Sequence, residues 1–176
     1  MRFLETFLRS RGFTWVWAVG SGNGVLAERA EWLAARVERL CEESGSEQID
    51  VVAHGLGGLV AAWYVRHSSG PLRVRRLVTM GTPWGGTRMA VFTRGALGRE
   101  TMVGSSVLDD LSPCLASAVC IWGSHDPMVL PASSAVAEDA VAVYLSGAGH
   151  LDLLLSSRAF RAVRQALIQP EVETDT

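Results

Sequence analysis

The feature that most constrains this chain is an alternation of two hydrophobic periods. Short apolar runs of strand length recur at Phe13–Val19, Ile49–Ala53, Val74–Met80, Ala118–Trp122 and Val141–Leu145, and glycine follows each of them closely. Between the runs the apolar residues keep helical spacing instead. Leu26, Ala30, Leu33, Val37 and Leu40 recur at intervals of four and three, with Glu28, Arg29, Glu31, Arg36, Glu38 and Arg39 on the opposite side. That is the pattern of an amphipathic helix laid on a core. Phe3, Leu4, Phe7 and Leu8 predict a short first helix closed near Gly12. A further helix follows the Ile49 strand to about His67. The last covers roughly Leu151 to Leu167, with Leu154, Phe160, Val163 and Leu167 turned inward. Apolar strands separated by amphipathic helices predict an α/β fold, a mostly parallel sheet with helices on both faces.

Composition narrows the function classes. With 16 Lys+Arg against 18 Asp+Glu over 176 residues, the chain has no basic excess with which to neutralise phosphates, so no nucleic-acid partner is expected. The mean hydropathy of +0.21 raises the question of a membrane. The longest apolar stretch, Val51 to Val65, is short and broken by His54 and several glycines, so no transmembrane segment is expected. Cys41, Cys114 and Cys120 form no CxxC pair and read as buried or free thiols. With 4 histidines and no ligand spacing among them, no metal and no cofactor are expected. The N-terminal residues lack the apolar core of an export signal, so the default is a cytoplasmic protein, the alternative being a secreted longer form.

In an open parallel sheet, ligands sit beyond the carboxyl ends of the strands. The residues there are His54-Gly55-Leu56-Gly57-Gly58, Gly81-Thr82-Pro83-Trp84-Gly85-Gly86-Thr87, Gly123-Ser124-His125-Asp126-Pro127 and Gly147-Ala148-Gly149-His150. A carboxylate and an imidazole therefore lie at neighbouring strand ends. A phosphate-binding reading of Gly55-Leu56-Gly57-Gly58 is poor: the third glycine of GxGxxG would fall on Val60, and about 20 residues on stands Arg75-Arg76 rather than a ribose-binding acid. Each candidate also has a plainer reading. Gly55 can serve a turn, Asp126 can start a turn before Pro127, and His150 can stand at the start of the last helix. Asp152 suits a first helical turn. His54 reads as structural, and His67 and His125 as solvated.

Taken in order, these segments resemble the α/β-hydrolase superfamily, and within it bacterial triacylglycerol lipases and esterases. Ile49-Asp50-Val51-Val52-Ala53-His54-Gly55-Leu56-Gly57-Gly58-Leu59-Val60-Ala61 resembles the nucleophile elbow, and Val78 to Thr87 the segment that follows it. Val103-Gly104-Ser105-Ser106-Val107-Leu108 resembles part of the lid region, Ile121 to Asp126 the acid loop, and Gly147 to Leu151 the histidine loop. The resemblance runs from about residue 3 to 168. It implies a carboxylic-ester or lipid-like small-molecule substrate and a Ser-Asp-His type triad. Asp126 would be the orienting acid and His150 the general base, and the Leu56 N–H would lie in the oxyanion hole.

Two departures stand out. The nucleophile position is Gly55, which has no nucleophilic atom, so the covalent route is closed and little or no activity is expected. The family's second oxyanion N–H comes from a loop after an earlier strand, usually carrying His-Gly, and no such strand precedes Met1 in this sequence. That strand would lie between the Phe13 and Ile49 strands, so an N-terminally truncated copy is expected. The rival is a non-catalytic relative that binds an acyl ligand or a protein partner. The expected organisation is one domain over 1–168, with a lid- or cap-like connection at 81–115 and a loose acidic tail at 169–176. Trp84 and the apolar residues from Met89 to Leu111 are candidates for an acyl pocket or for plain packing.

Overall fold

A computed structural model describes residues 1–20, 22–111 and 118–168. Cys114, the end of the 81–115 connection and the acidic tail lie outside the described residues. Helices α1 (Arg2–Arg9) and α2 (Leu26–Ser44) come first, then β1 (Ile49–His54), α3 (Leu56–His67), the single turn α4 (Gly70–Arg73) and β2 (Val74–Met80). The connection to the next strand carries a 3-10 turn at Arg88–Phe92, α5 (Ala96–Glu100) and α6 (Ser106–Leu111). The chain then forms β3 (Val119–Gly123), β4 (Val141–Leu145), α7 (Asp152–Leu155) and α8 (Ser157–Ile168). The strands lie in the order β1-β2-β3-β4, all parallel, with His54 opposite Met80 and Gly123 opposite Leu145.

Strand alternation distributes the core over both faces of the sheet. Val51, Ala53, Leu77 and Cys120 pack with Leu26, Ala30, Val37, Leu59 and Tyr64 of α2 and α3. Their neighbours Val52, Val78, Met80 and Ile121 pack with Leu4 and Leu8 of α1 and with Phe160, Val163 and Leu167 of α8. A strand with both faces covered is buried at successive positions, as β2 is from Leu77 to Met80, where the one polar side chain, Thr79, donates its hydroxyl to the Val119 carbonyl. The helices predicted from spacing form, but Phe3 points to solvent and the last one breaks at Ser156 into α7 and α8.

One expected strand does not form. Phe13–Val19 joins no ladder, and the sheet has four strands among the described residues. The β-branched and aromatic content of the run suits a strand, but a strand also needs a neighbour to take its main-chain hydrogen bonds. Between this segment and the free edge of β1 lies a cleft of about 280 Å³, lined on its two sides by Phe13, Val16 and Ala18 and by Val51 and Val52. Phe13–Val19 is held from the α1 side, where the Arg9 guanidinium donates to the carbonyls of Thr14 and Val16.

The 81–111 connection is packed onto the molecule. Trp84, Leu108 and Leu111 are buried in the α2/α3 core. The Trp84 indole N–H donates to Cys120 Sγ at 3.1 Å, which places this residue in the core. Glu100 at the end of α5 accepts from the first main-chain N–H of α2, that of Leu26, at 3.0 Å. Thr87 donates through Oγ1 to the Met128 carbonyl and accepts from the Leu130 N–H, tying the connection to the loop after β3. Val91, Phe92, Met102 and Val103 of the same connection are exposed.

Candidate active site

Parallel strands deliver their carboxyl ends to one edge, and all the candidate residues meet there. β1 ends at His54, and the chain turns through Gly55 into α3 with φ 55° and ψ −128°. A positive φ of this kind is strained for residues with a side chain, and glycine adopts it without steric cost. The turn is pinned to the sheet because the Gly55 N–H donates to the Met80 carbonyl at 2.9 Å. Leu56 is the first residue of α3, so its N–H is one of the helix-start donors without an intrahelical acceptor. The positive end of the α3 dipole lies at the same point.

Asp126 follows β3 and is buried. Its Oδ1 accepts the N–H groups of Met128 at 2.8 Å and Val129 at 3.1 Å, while Oδ2 accepts from His150 Nδ1 at 2.7 Å. The turn role and the partnership with His150 therefore coexist, one oxygen to each. Burial by itself would raise the carboxyl's pKa, but the hydrogen bond and charge of His150 and the two amides outweigh it and hold Asp126 below the ordinary carboxylate value.

His150 sits in the turn between β4 and α7. Its Nδ1 is engaged by a carboxylate, so Nδ1 carries a proton and Nε2 presents a lone pair. That lone pair faces Gly55: a Cβ added to Gly55 would lie 3.1 Å from Nε2 and 3.3 Å from Cε1. An imidazole held this way can accept a proton at Nε2 from a group standing over Gly55.

Two neighbours were not singled out by the sequence pattern for this role. Gly81, at φ 56°, has no room for a side chain, since a Cβ there would stand 2.9 Å from Asp126 Oδ2 and 3.1 Å from His150 Nδ1. His54, read as structural, has its ring 4.2 Å from that of His150 and donates from Nε2 to the His150 carbonyl at 3.0 Å. Burial, then the charge of His150, push the His54 pKa down to about 4. The other candidates lie apart from this cluster. His67 pairs with Asp110 at 2.7 Å, His125 with the Ser124 hydroxyl at 2.9 Å, and Asp152 Oδ2 accepts the Gly149 N–H at 2.8 Å. No metal-binding cluster occurs among the described residues, and no helix among them is long and apolar enough to cross a membrane.

A family model described as the alpha/beta hydrolase fold matches residues 27–106. A lipase from Bacillus licheniformis in its mature form aligns at TM-score 0.71 and 14% identity, covering 82% of this chain and 75% of its own. A Listeria innocua gene product aligns at TM-score 0.64 and 18% identity, covering 86% and 70% respectively. A monoacylglycerol lipase from Paleococcus ferrophilus aligns at TM-score 0.54 and 15% identity, covering 83% and 76%. The parallel sheet flanked by helices, the family-model match across the Gly55 turn and these structural likenesses agree, and the chain has the α/β-hydrolase fold.

Proposed function

We propose that the carboxyl edge of the sheet is a lipase/esterase-type site for carboxylic esters in which the covalent route is closed. Gly55 stands at the nucleophile position, Asp126 is the orienting acid, His150 the general base and Leu56 N–H an oxyanion donor. The observation that carries this reading is the Asp126–His150 pair at 2.7 Å, with Nε2 facing the point where a Gly55 side chain would begin. Such geometry suits proton removal from a serine hydroxyl on that turn.

Without the hydroxyl, what remains is a water over Gly55, deprotonated by His150 as it attacks the ester carbonyl. In serine hydrolases, loss of the nucleophile costs about 10⁶ in turnover, with about 10³–10⁴ over water left to the oxyanion hole and binding. The oxyanion site is itself thin. In related enzymes the second donor follows an earlier strand, and among the described residues no strand precedes β1.

The missing hydroxyl favours a second reading, a non-catalytic relative that keeps the pocket to bind an acyl ligand or a protein partner. Within either reading, the packed 81–111 connection with its exposed Val91, Phe92, Met102 and Val103 is the lid- or cap-like element. An assay of p-nitrophenyl esters of short and long acyl chains separates the two. Turnover above buffer that disappears in His150→Ala supports the slow hydrolase; turnover equal to buffer in both proteins leaves the binding reading. Gly55→Ser is expected to raise turnover only slightly, and lipase-level rates in that variant would mean that a second oxyanion donor is already in place.

A further inference from the structure

The Asp126 hydrogen bond fixes one atom of the His150 ring. A single bond at Nδ1 leaves the ring free to swing about the Nδ1···Oδ2 line, carrying Nε2 away from Gly55. Something else must fix the plane of the ring and the main chain that bears it.

The turn from Gly147 to His150 is anchored at several points. The Gly147 N–H donates to Ser124 Oγ at 3.1 Å, the Ala148 carbonyl accepts from the His125 N–H at 3.1 Å, and the Gly149 N–H donates to Asp152 Oδ2 at 2.8 Å. At His150 itself the main-chain carbonyl is held by the His54 ring, at 3.0 Å. The same imidazole lies against the His150 ring, with centroids 4.2 Å apart and planes inclined at 51°. One side chain thus fixes both the backbone and the ring of the base. It is attached to the last residue of β1, one position before Gly55, so its placement is as rigid as the sheet.

We infer that His54 is the positioning residue of this site: its Nε2–H, donated to the His150 carbonyl, and its ring face together hold His150 Nε2 toward the Gly55 turn. This inference rests on the reading of His150 as the base, but it concerns geometry and can be tested without any ester turnover. A carbonyl acceptor requires a donor, so His54 is in the Nε2–H tautomer. Its neutrality matters too, because the groups it faces include His150, Asp126 and the Met1 amino group, and a charged His54 would set a cation against His150. Phenylalanine would reproduce the ring contact and leave the carbonyl without its partner. Glutamine would reproduce the donor.

The test is histidine-labelled NMR of the 176-residue chain, reading ring tautomers from nitrogen shifts and the place of the His150 ring from nuclear Overhauser contacts. In the wild type, His54 is expected as the Nε2–H tautomer and His150 as Nδ1–H. His54→Phe should leave His150 as Nδ1–H, because Asp126 still holds that atom, but should abolish the wild-type nuclear Overhauser contact between His150 Hε1 and the Gly55 Hα protons as the ring swings away. His54→Gln should keep the wild-type pattern. A His54→Phe protein that keeps the His150–Gly55 contact overturns the inference. If His54→Phe does not fold, the wild type alone decides, because His54 found as the Nδ1–H tautomer cannot donate from Nε2 and overturns it equally. The ester assay can fail while this pattern holds, which separates the two readings.

Discussion

At the scale of single residues, the site depends on two glycines and a neutral histidine. Gly55→Ser places a Cβ 3.1 Å from His150 Nε2 on a backbone with φ 55°, so the imidazole must give by a few tenths of an ångström. The positive φ adds strain of about 1–3 kcal/mol, and urea unfolding should show a loss within that range. Gly81→Ala meets Asp126 Oδ2 at 2.9 Å and Leu153 Cδ1 at 3.0 Å, also at positive φ. It should cost at least as much and also break the Asp126–His150 bond, seen as loss of the Nδ1–H tautomer of His150; an unaltered tautomer would contradict the close approach. The pKa of His54 is depressed from 6.5 to about 4, so between those values the unfolded chain binds a proton that the folded chain refuses. Stability should therefore be full above pH 6.5 and fall as the pH drops toward 4, by up to about 3 kcal/mol from this group. Thermal melts across that window check it, and His54→Gln should flatten the slope. Asp126 acts lower down: its carboxyl is depressed, so its contribution is present above the usual carboxylate range and is lost as the pH falls through its own, lower value.

At the scale of elements, periodicity and tertiary context contributed differently. α2 was legible because Leu26, Ala30 and Val37 repeat at helical spacing, and these are the residues it buries. α3 was legible as the stretch after a glycine turn. Phe13–Val19 joins no ladder despite its β-rich composition, because composition describes what a strand can accept, while ladder pairing depends on a neighbour that the run does not supply. The open side of β1 has a measurable consequence. Gly55 N–H points toward β2, so by alternation those of Ala53 and Val51 do as well, whereas that of Val52 points toward the cleft. Amide hydrogen exchange at Val52 should run well ahead of exchange at Val51 and Ala53. Equal protection at all three would mean that the outer edge of β1 is already paired.

At the scale of the whole molecule, the sheet divides the interior into two packed regions, and the cleft beside β1 interrupts one side of the arrangement. Leu33, Val37 and Leu40 of α2 line that cleft along with Phe13, Val16 and Val52, which leaves apolar surface reachable from solvent. The native chain should accordingly enhance the fluorescence of anilinonaphthalene sulfonate at neutral pH without denaturant, and a silent dye would indicate a closed cleft. The candidate active residues do not line this cleft, so dye binding should survive His150→Ala. Local periodicity and short motifs at strand ends carry the parallel α/β class, the order of the helices, the likeness to the α/β-hydrolase fold and the placement of Asp126 and His150 at neighbouring strand ends, because each is written over a few consecutive residues. The tertiary structure alone decided which runs found a ladder partner, that Gly81 must lack a side chain, and that His54 reaches the carbonyl of a residue 96 positions away. Those depend on distances between segments remote in sequence, which a one-dimensional pattern does not contain.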